Sequence, residues 1–231
     1  MSVTAATVAR KSGALALLGP ILAGCLAVGP SAAAARLPPP AYDPPARGVQ
    51  TVVLSGGCFW GVQGVFEHVR GVRKVWAGYD GGARATAHYD LVSTGTTGQA
   101  ESVEIDYDPT QISFGQILRI FFSVATDPTQ VNRQFPDEGP QYRSEVFYRD
   151  AAQQAVAQRY IAQLEAARVF KGPIATRVDH DKGFFRAEDY HQDFLFRHPT
   201  QAYIATYDLP KLAQLRAMFP GQWRSEAILA L

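Results

Sequence analysis

Cysteine is nearly absent from this chain: two occur in 231 residues, Cys25 and Cys58. Two are too few for a disulfide framework or a four-cysteine zinc site. Charge imbalance is absent as well, with 22 basic and 21 acidic side chains giving a formal net charge of +1. No run of Lys or Arg is longer than a pair, so nothing indicates nucleic acid as a partner. The histidines (His68, His88, His180, His191 and His198) are scattered without metal-ligand spacing, and a zinc site is not expected. The apolar stretch from Ser12 to Leu22 is too short to cross a bilayer. There is no internal repeat. What is present is an ordinary globular composition, 47% apolar and 19% charged. The length suits one domain with a substantial core.

The N-terminus reads as an address. Arg10-Lys11 precedes a short apolar stretch, Ser12 to Leu22, about the length of a signal h-region. Ala33-Ala34-Ala35 has the small-x-small form of ordinary signal cleavage. Leu22-Ala23-Gly24-Cys25 has the form of a bacterial lipobox, in which Cys25 is lipidated and becomes the mature N-terminus. An unprocessed Ala/Gly/Pro leader is the third reading. The expectation is an exported, periplasmic protein, soluble or lipid-anchored through Cys25. Residues 1–35 are thus taken as leader, 36–49 as a Pro-rich, semi-rigid tether, and 50–231 as the catalytic domain.

Periodicity and turn signals order the domain. Gln50–Leu54 reads as a buried strand, Cys58–His68 as a helix, and Val72–Gly78 as a strand ending in Tyr79-Asp80-Gly81-Gly82. Glu101–Tyr107 is a third strand, stopped by Asp108-Pro109. Ser113–Val124 is a helix opening on Ser-Phe-Gly-Gln, a capping-box pattern. Ser144–Tyr148 is a fourth strand, and Asp150 caps the next helix. Ile174–Val178 is expected as a fifth strand and Leu209–Phe219 as the terminal helix. Strand-helix-strand-strand-helix-strand is the ferredoxin-like order: an α/β (α+β) sandwich with a mixed, mainly antiparallel sheet and packed helices. The loop from Thr126 to Gln141 is long for a compact domain, and such loops tend to carry function.

Two residues carry chemistry on pattern alone. Cys58 follows Gly56-Gly57 at the start of an amphipathic helix, where free N–H groups and the helix dipole favour a thiolate. A buried, inert Cys at a helix end is the other reading. Phe59 and Trp60 come next; they either wall a pocket beside the thiol or belong to the core. Glu101 shares parity with Val103, Ile105 and Tyr107, which places its carboxyl on the core side if the strand is regular. Desolvated there, it would favour its protonated form and could act as a general acid. At a frayed strand end it would instead be solvated. A Cys–His hydrolase pairing also stays open at this level.

Taken together, the motifs resemble a known family. Gly57-Cys58-Phe59-Trp60-Gly61 is similar to the signature of A-type peptide methionine sulfoxide reductases. Gly78–Gly82, Thr97–Glu101, Tyr107–Pro109, Asp127–Thr129, Gln141–Ser144 and Ala187–Gln192 match further segments in the same order. The resemblance spans roughly Thr51 to Pro199. It implies that Cys58 is the nucleophile and that Phe59 and Trp60 hold the substrate methyl group. Glu101 is implied as the acid that protonates the sulfoxide oxygen. Tyr89 and Tyr142 are implied as hydroxyls bonding that oxygen, and Asp137 as a contact to the substrate backbone.

Departures are visible too. Gln99 and Thr126 stand where His is frequent, one residue is inserted near Thr126, and Ser93 stands where some members have Cys. No glycine-rich cysteine tail follows Pro199; Tyr203-Ile204 and Asp208–Lys211 resemble members without a resolving cysteine.

The reaction implied is thiolate attack on sulfoxide sulfur, leaving methionine and a Cys58 sulfenic acid. The resemblance implies the S epimer, in proteins and as the free amino acid. No metal or organic cofactor is required. An external thiol such as a thioredoxin-like protein resets the cysteine, and a monomer is expected. A thiol peroxidase and a redox-sensing module without turnover are the alternatives.

Overall fold

The computed structural model describes residues 37–231. The leader, with Cys25 and both processing sites, lies outside the described residues. In chain order the elements are β1 (Gln50–Gly56), α1 (Phe59–Glu67), β2 (Val72–Asp80), α2 (Tyr89–Val92), β3 (Ala100–Tyr107) and α3 (Phe114–Ile120). Then follow β4 (Arg133–Gln134), β5 (Asp137–Glu138), β6 (Ser144–Tyr148), α4 (Ala151–Ala166), β7 (Arg177–His180), β8 (Phe185–Arg186), α5 (Phe194–Arg197) and α6 (Leu209–Met218).

Six strands form one sheet in the order β7-β6-β1-β3-β2-β8. β1 runs antiparallel to both β3 and β6, and β2 antiparallel to β3. Only β7 lies parallel to its neighbour, β6. Order β6-β1-β3-β2, with α1 joining β1 to β2 and α3 between β3 and β6, is the ferredoxin-like arrangement expected. The sequence of β1, QTVVLSG, is buried from Val52 onward because the strand is central and covered on both faces. In β3, Glu101, Val103, Ile105 and Tyr107 are all buried, as their shared parity requires. β4 and β5 pair as a small hairpin inside the long loop.

The helices begin where the caps said. Ser113 and Gln116 form the reciprocal capping box of α3, and the Asp150 carboxylate accepts from Gln153 N–H to start α4. Two ends differ from expectation. α3 stops at Ile120 and continues as a π turn over Phe121–Ala125, closed by Thr126 N–H to Phe121 C=O at 3.1 Å. A second π turn, Ile204–Asp208, leads into α6. The fifth strand forms at Arg177–His180 rather than Ile174–Val178. Ala175 N–H bonds Pro128 C=O (2.7 Å) and the Thr176 hydroxyl meets that of Ser144 (2.7 Å), so those residues serve neighbouring segments before the ladder begins.

The Pro-rich segment is not a free spacer over its described part. Leu37 is buried. Tyr160 O–H donates to Pro38 C=O at 2.9 Å, and Arg119 Nε to Leu37 C=O at 2.7 Å. Gln163 bonds both Pro39 C=O (2.9 Å) and Ala41 N–H (2.8 Å). Asp43 accepts from Gly115 N–H (3.0 Å) and from the Ser113 hydroxyl at the start of α3. Prolines carry no N–H, so the segment offers mostly acceptors, and side chains of α3 and α4 supply the donors. At the other end of the chain, Ala230 and Leu231 N–H donate to the buried Asp193 carboxylate at 2.6 and 3.0 Å. Lys74 holds the carbonyls of Leu229 and Ala230.

Candidate active site

The site forms where β1 turns into α1. Gly57 has φ +99, a conformation L side chains rarely adopt, and a Cβ there would lie 2.6 Å from Gln134 Cγ. At Gly56 a Cβ would meet the Phe121 ring at 2.7 Å. Glycine is needed at both positions for the chain to pass under the loop and place Cys58 at the N-cap of α1.

Cys58 is buried, and its thiol is held well above its ordinary pKa. Burial is the main cause; the carboxyls of Glu101, Asp208 and Asp137 add to it. Only the backbone bond from Trp60 acts the other way. The helix N-terminus is therefore present as expected, but it does not win: the resting group is a thiol. Glu101, also buried, has its pKa pushed up to about 8 by burial, with Asp137 adding to it. A hydrogen bond from Phe59 N–H to Glu101 Oε2 at 3.0 Å opposes the shift only in part. The carboxyl thus carries its proton at neutral pH, as the core-facing parity suggested.

Tyr89 and Tyr142 are half-buried, and burial is the main cause that raises the pKa of both phenols. Both face the same group and stay neutral donors. Phe59 and Trp60 part ways. Phe59 packs into the core against Tyr79 (5.8 Å) and His191 (5.0 Å), and its backbone N–H is what reaches the acid. Trp60 is partly exposed, stacked on Phe194 at 3.8 Å, and available to line a pocket. Asp137, brought by the β4–β5 hairpin, accepts a hydrogen bond from the Tyr203 hydroxyl.

Several residues of the site had no assigned role in the sequence. His191 Nδ1 accepts from Trp60 Nε1–H at 3.1 Å, and burial lowers its pKa to about 4, so the ring is neutral and Nε2 carries the proton. Glu188 accepts from Tyr79 O–H (2.9 Å) and Tyr89 N–H (3.1 Å), fixing the start of α2. Asp208, fully buried, pairs with Lys211 at 3.2 Å against Gly61. His191 and Glu188 lie in the Ala187–Gln192 segment, and Tyr203 and Asp208 in the terminal stretch. In the sequence both stretches are visible as motifs without a role. Among the described residues no three His, Cys, Asp or Glu side chains gather as a metal site.

A buried thiol beside a protonated carboxyl, two phenols and an indole suits a neutral, strongly dipolar S–O group. The family profile of peptide methionine sulfoxide reductase matches residues 50–222. The chain belongs to that family. A peptide methionine sulfoxide reductase of Mesorhizobium japonicum is 51% identical over 186 residues, covering 80% of this chain and 95% of the relative. One from Synechocystis is 51% identical over 182 residues, covering 79% and 85%. Among solved structures, methionine sulfoxide reductase A of Corynebacterium diphtheriae superposes with a TM-score of 0.56 at 30% identity, covering 67% of this chain and 77% of that one. Reduced Mxr1 from Saccharomyces cerevisiae gives 0.60 at 28%, covering 66% and 87%. The six-stranded mixed sheet with its packed helices matches the fold of these solved relatives.

Proposed function

We propose that this reductase acts on the S epimer of methionine sulfoxide, in polypeptides and as the free amino acid, through Cys58 and Glu101. The observation that carries the reading is the Glu101 carboxyl, kept protonated by burial and hydrogen-bonded to the residue next to the nucleophile. Sulfoxide oxygen accepts hydrogen bonds from Glu101, Tyr89 and Tyr142. Cys58 sulfur attacks the sulfoxide sulfur, forming an S–S bond as the oxygen takes the Glu101 proton; the protonated oxygen then leaves that sulfur and bonds Cys58 sulfur, the S–S bond breaks, and methionine departs. The thiol proton restores Glu101. In sum, a thiol and a sulfoxide give a sulfenic acid and a thioether, with cysteine sulfur oxidised and substrate sulfur reduced by two electrons. Trp60 holds the methyl group, with Phe59 in the core beneath, and Asp137 the backbone of the substrate. A peroxidase reading is less well served, because a peroxide has no methyl group for an indole beside the thiol to hold.

Cys58 is the sole cysteine among the described residues, and Cys25 is the only other in the sequence. We therefore assign the reset to an external thiol of the thioredoxin type: a dithiol attacks the sulfenic acid, releasing water, and closes its own disulfide. The protein is exported as a monomer, with Cys25 lipidated or the leader removed before Arg36. The deciding assay offers S and R methionine sulfoxide separately, first without and then with dithiothreitol. The expected result is about one methionine per enzyme from the S epimer alone, then multiple turnovers. Turnover of the R epimer at a comparable rate overturns the assignment. Intact mass from the native host tests export, expecting a chain beginning at lipidated Cys25 or at Arg36; retention of Met1 overturns it.

A further inference from the structure

Arg143 follows Tyr142 directly. It is 6% exposed, and each nitrogen of its guanidinium donates a hydrogen bond. Nη1 donates to Gln99 C=O (3.2 Å) and Pro140 C=O (3.0 Å), Nη2 to Gly98 C=O (3.1 Å), and Nε to the buried Glu145 carboxylate. Two of those carbonyls belong to the chain entering β3, which carries Glu101. The third opens the turn that carries Tyr142. Gly81 makes the room, since a Cβ there would sit 2.5 Å from Nη2. On the backbone side, the Ser55 hydroxyl lies 2.7 Å from Glu101 C=O and 2.9 Å from Arg143 C=O.

One planar cation therefore ties together the two segments that bring a proton and a phenol to the same oxygen. A flat fork with five donors spans three carbonyls and a carboxylate; the compact ammonium of lysine does not. We infer that Arg143 is a positioning residue for the reduction, setting the separation of the Glu101 carboxyl and the Tyr142 hydroxyl. The inference rests on the roles given above to those two groups. Ser55 is its backbone counterpart.

The test is a pair of double-mutant cycles read by single-turnover methionine release, with circular dichroism melts reporting the fold. Arg143→Lys and Ser55→Ala are each made alone and with Glu101→Gln. Arg143→Lys should slow single turnover by about a hundredfold, the scale of a misplaced reacting group, while KM shifts by less than about threefold. In the Glu101→Gln background the same change should cost less than about threefold, because the group being positioned is gone. Ser55→Ala should follow the same pattern at about tenfold. A folded Arg143→Lys enzyme with near-parent rate overturns the inference, as do equal losses in both backgrounds, which describe a scaffold arginine. If Arg143→Lys does not fold, the Ser55 cycle decides by the same criterion. A near-normal rate in Glu101→Gln alone overturns the Glu101 role and this inference with it; a slow Glu101→Gln beside a normal Arg143→Lys overturns the inference only.

Discussion

In the proposed reaction a thiol and a carboxylic acid, both buried and both protonated, form the reacting pair, and the pH dependence follows from that. Glu101 has its pKa raised to about 8. Its working, protonated form is complete below that value and is lost as pH rises through it. For the enzyme with dithiothreitol, kcat/KM should therefore fall as pH increases through about 8. Glu101→Gln should lose that limb and turn over about ten- to a thousandfold more slowly. A rate that climbs through the same range would mean that thiol ionisation, not the acid, limits the reaction. Cys58→Ser should fold and release no methionine, checked by melting and by single turnover. At this scale the sequence was informative at Glu101, whose parity is that of the buried row Val103, Ile105 and Tyr107, although Ala100 and Ser102 on the other face are buried as well. It was misleading at Cys58. The N-cap position was readable, but its effect was outweighed by burial, with the carboxyls of Glu101, Asp208 and Asp137 adding to it; these are tertiary properties that leave no local pattern. His191 is similar: its lowered pKa comes from burial beside Trp60 and aromatic rings, a tertiary property.

Among elements, the turn between β1 and α1 is the most constrained. Gly57→Ala puts a Cβ into Gln134 at a positive φ, displacing Cys58, and single turnover should slow by at least about tenfold. Gly48→Ala is the control: its φ is +69 with nothing within 4 Å of the added carbon. It should cost about 1–2 kcal/mol of stability and leave the rate alone. Parent-like turnover by Gly57→Ala would show that the loop yields easily. Ser113→Ala removes one half of a capping box and the Asp43 contact, and should lower stability by about 1 kcal/mol in urea melts. Caps and long strands were legible because their signals are local. The β4–β5 hairpin, β8 and α5 are two to four residues each, too short to show a period, and are fixed by what they pack against.

Over the whole molecule, a buried carboxyl couples folding to pH. Glu67, at the end of α1, faces Asp193 and has its pKa raised from 4.5 to about 9, chiefly by burial. Between those values the folded domain holds a proton that the unfolded chain releases. Its stabilising effect is complete below the lower value and is lost as pH rises to the upper one. Asp80 and Glu145, each raised to about 7, act with the same sign over a narrower window. Thermal melts from pH 5 to 9 should show Tm falling with pH, and Glu67→Gln should flatten the slope and raise Tm at the alkaline end. A Tm that rises with pH in the parent would overturn this account. The docked segment Leu37–Asp43 was not legible as such, since Pro-rich composition describes stiffness and says nothing about which helices supply donors.

The π turn at Phe121–Ala125 bears on how such a chain changes length. A ring closed from residue i to i+5 holds one residue more than the α-helical ring, so the helix carries an extra residue without moving what precedes it. The extra residue is stored as a bulge, and the Thr126 hydroxyl just after it accepts from Gln134 Nε2 at 2.7 Å. Removing one residue from this turn should relax it to ordinary helix and rewind the following loop by about 100°. That would carry Gln134 off Gly57, so a single deletion here bears on the nucleophile even though it touches no residue of the site.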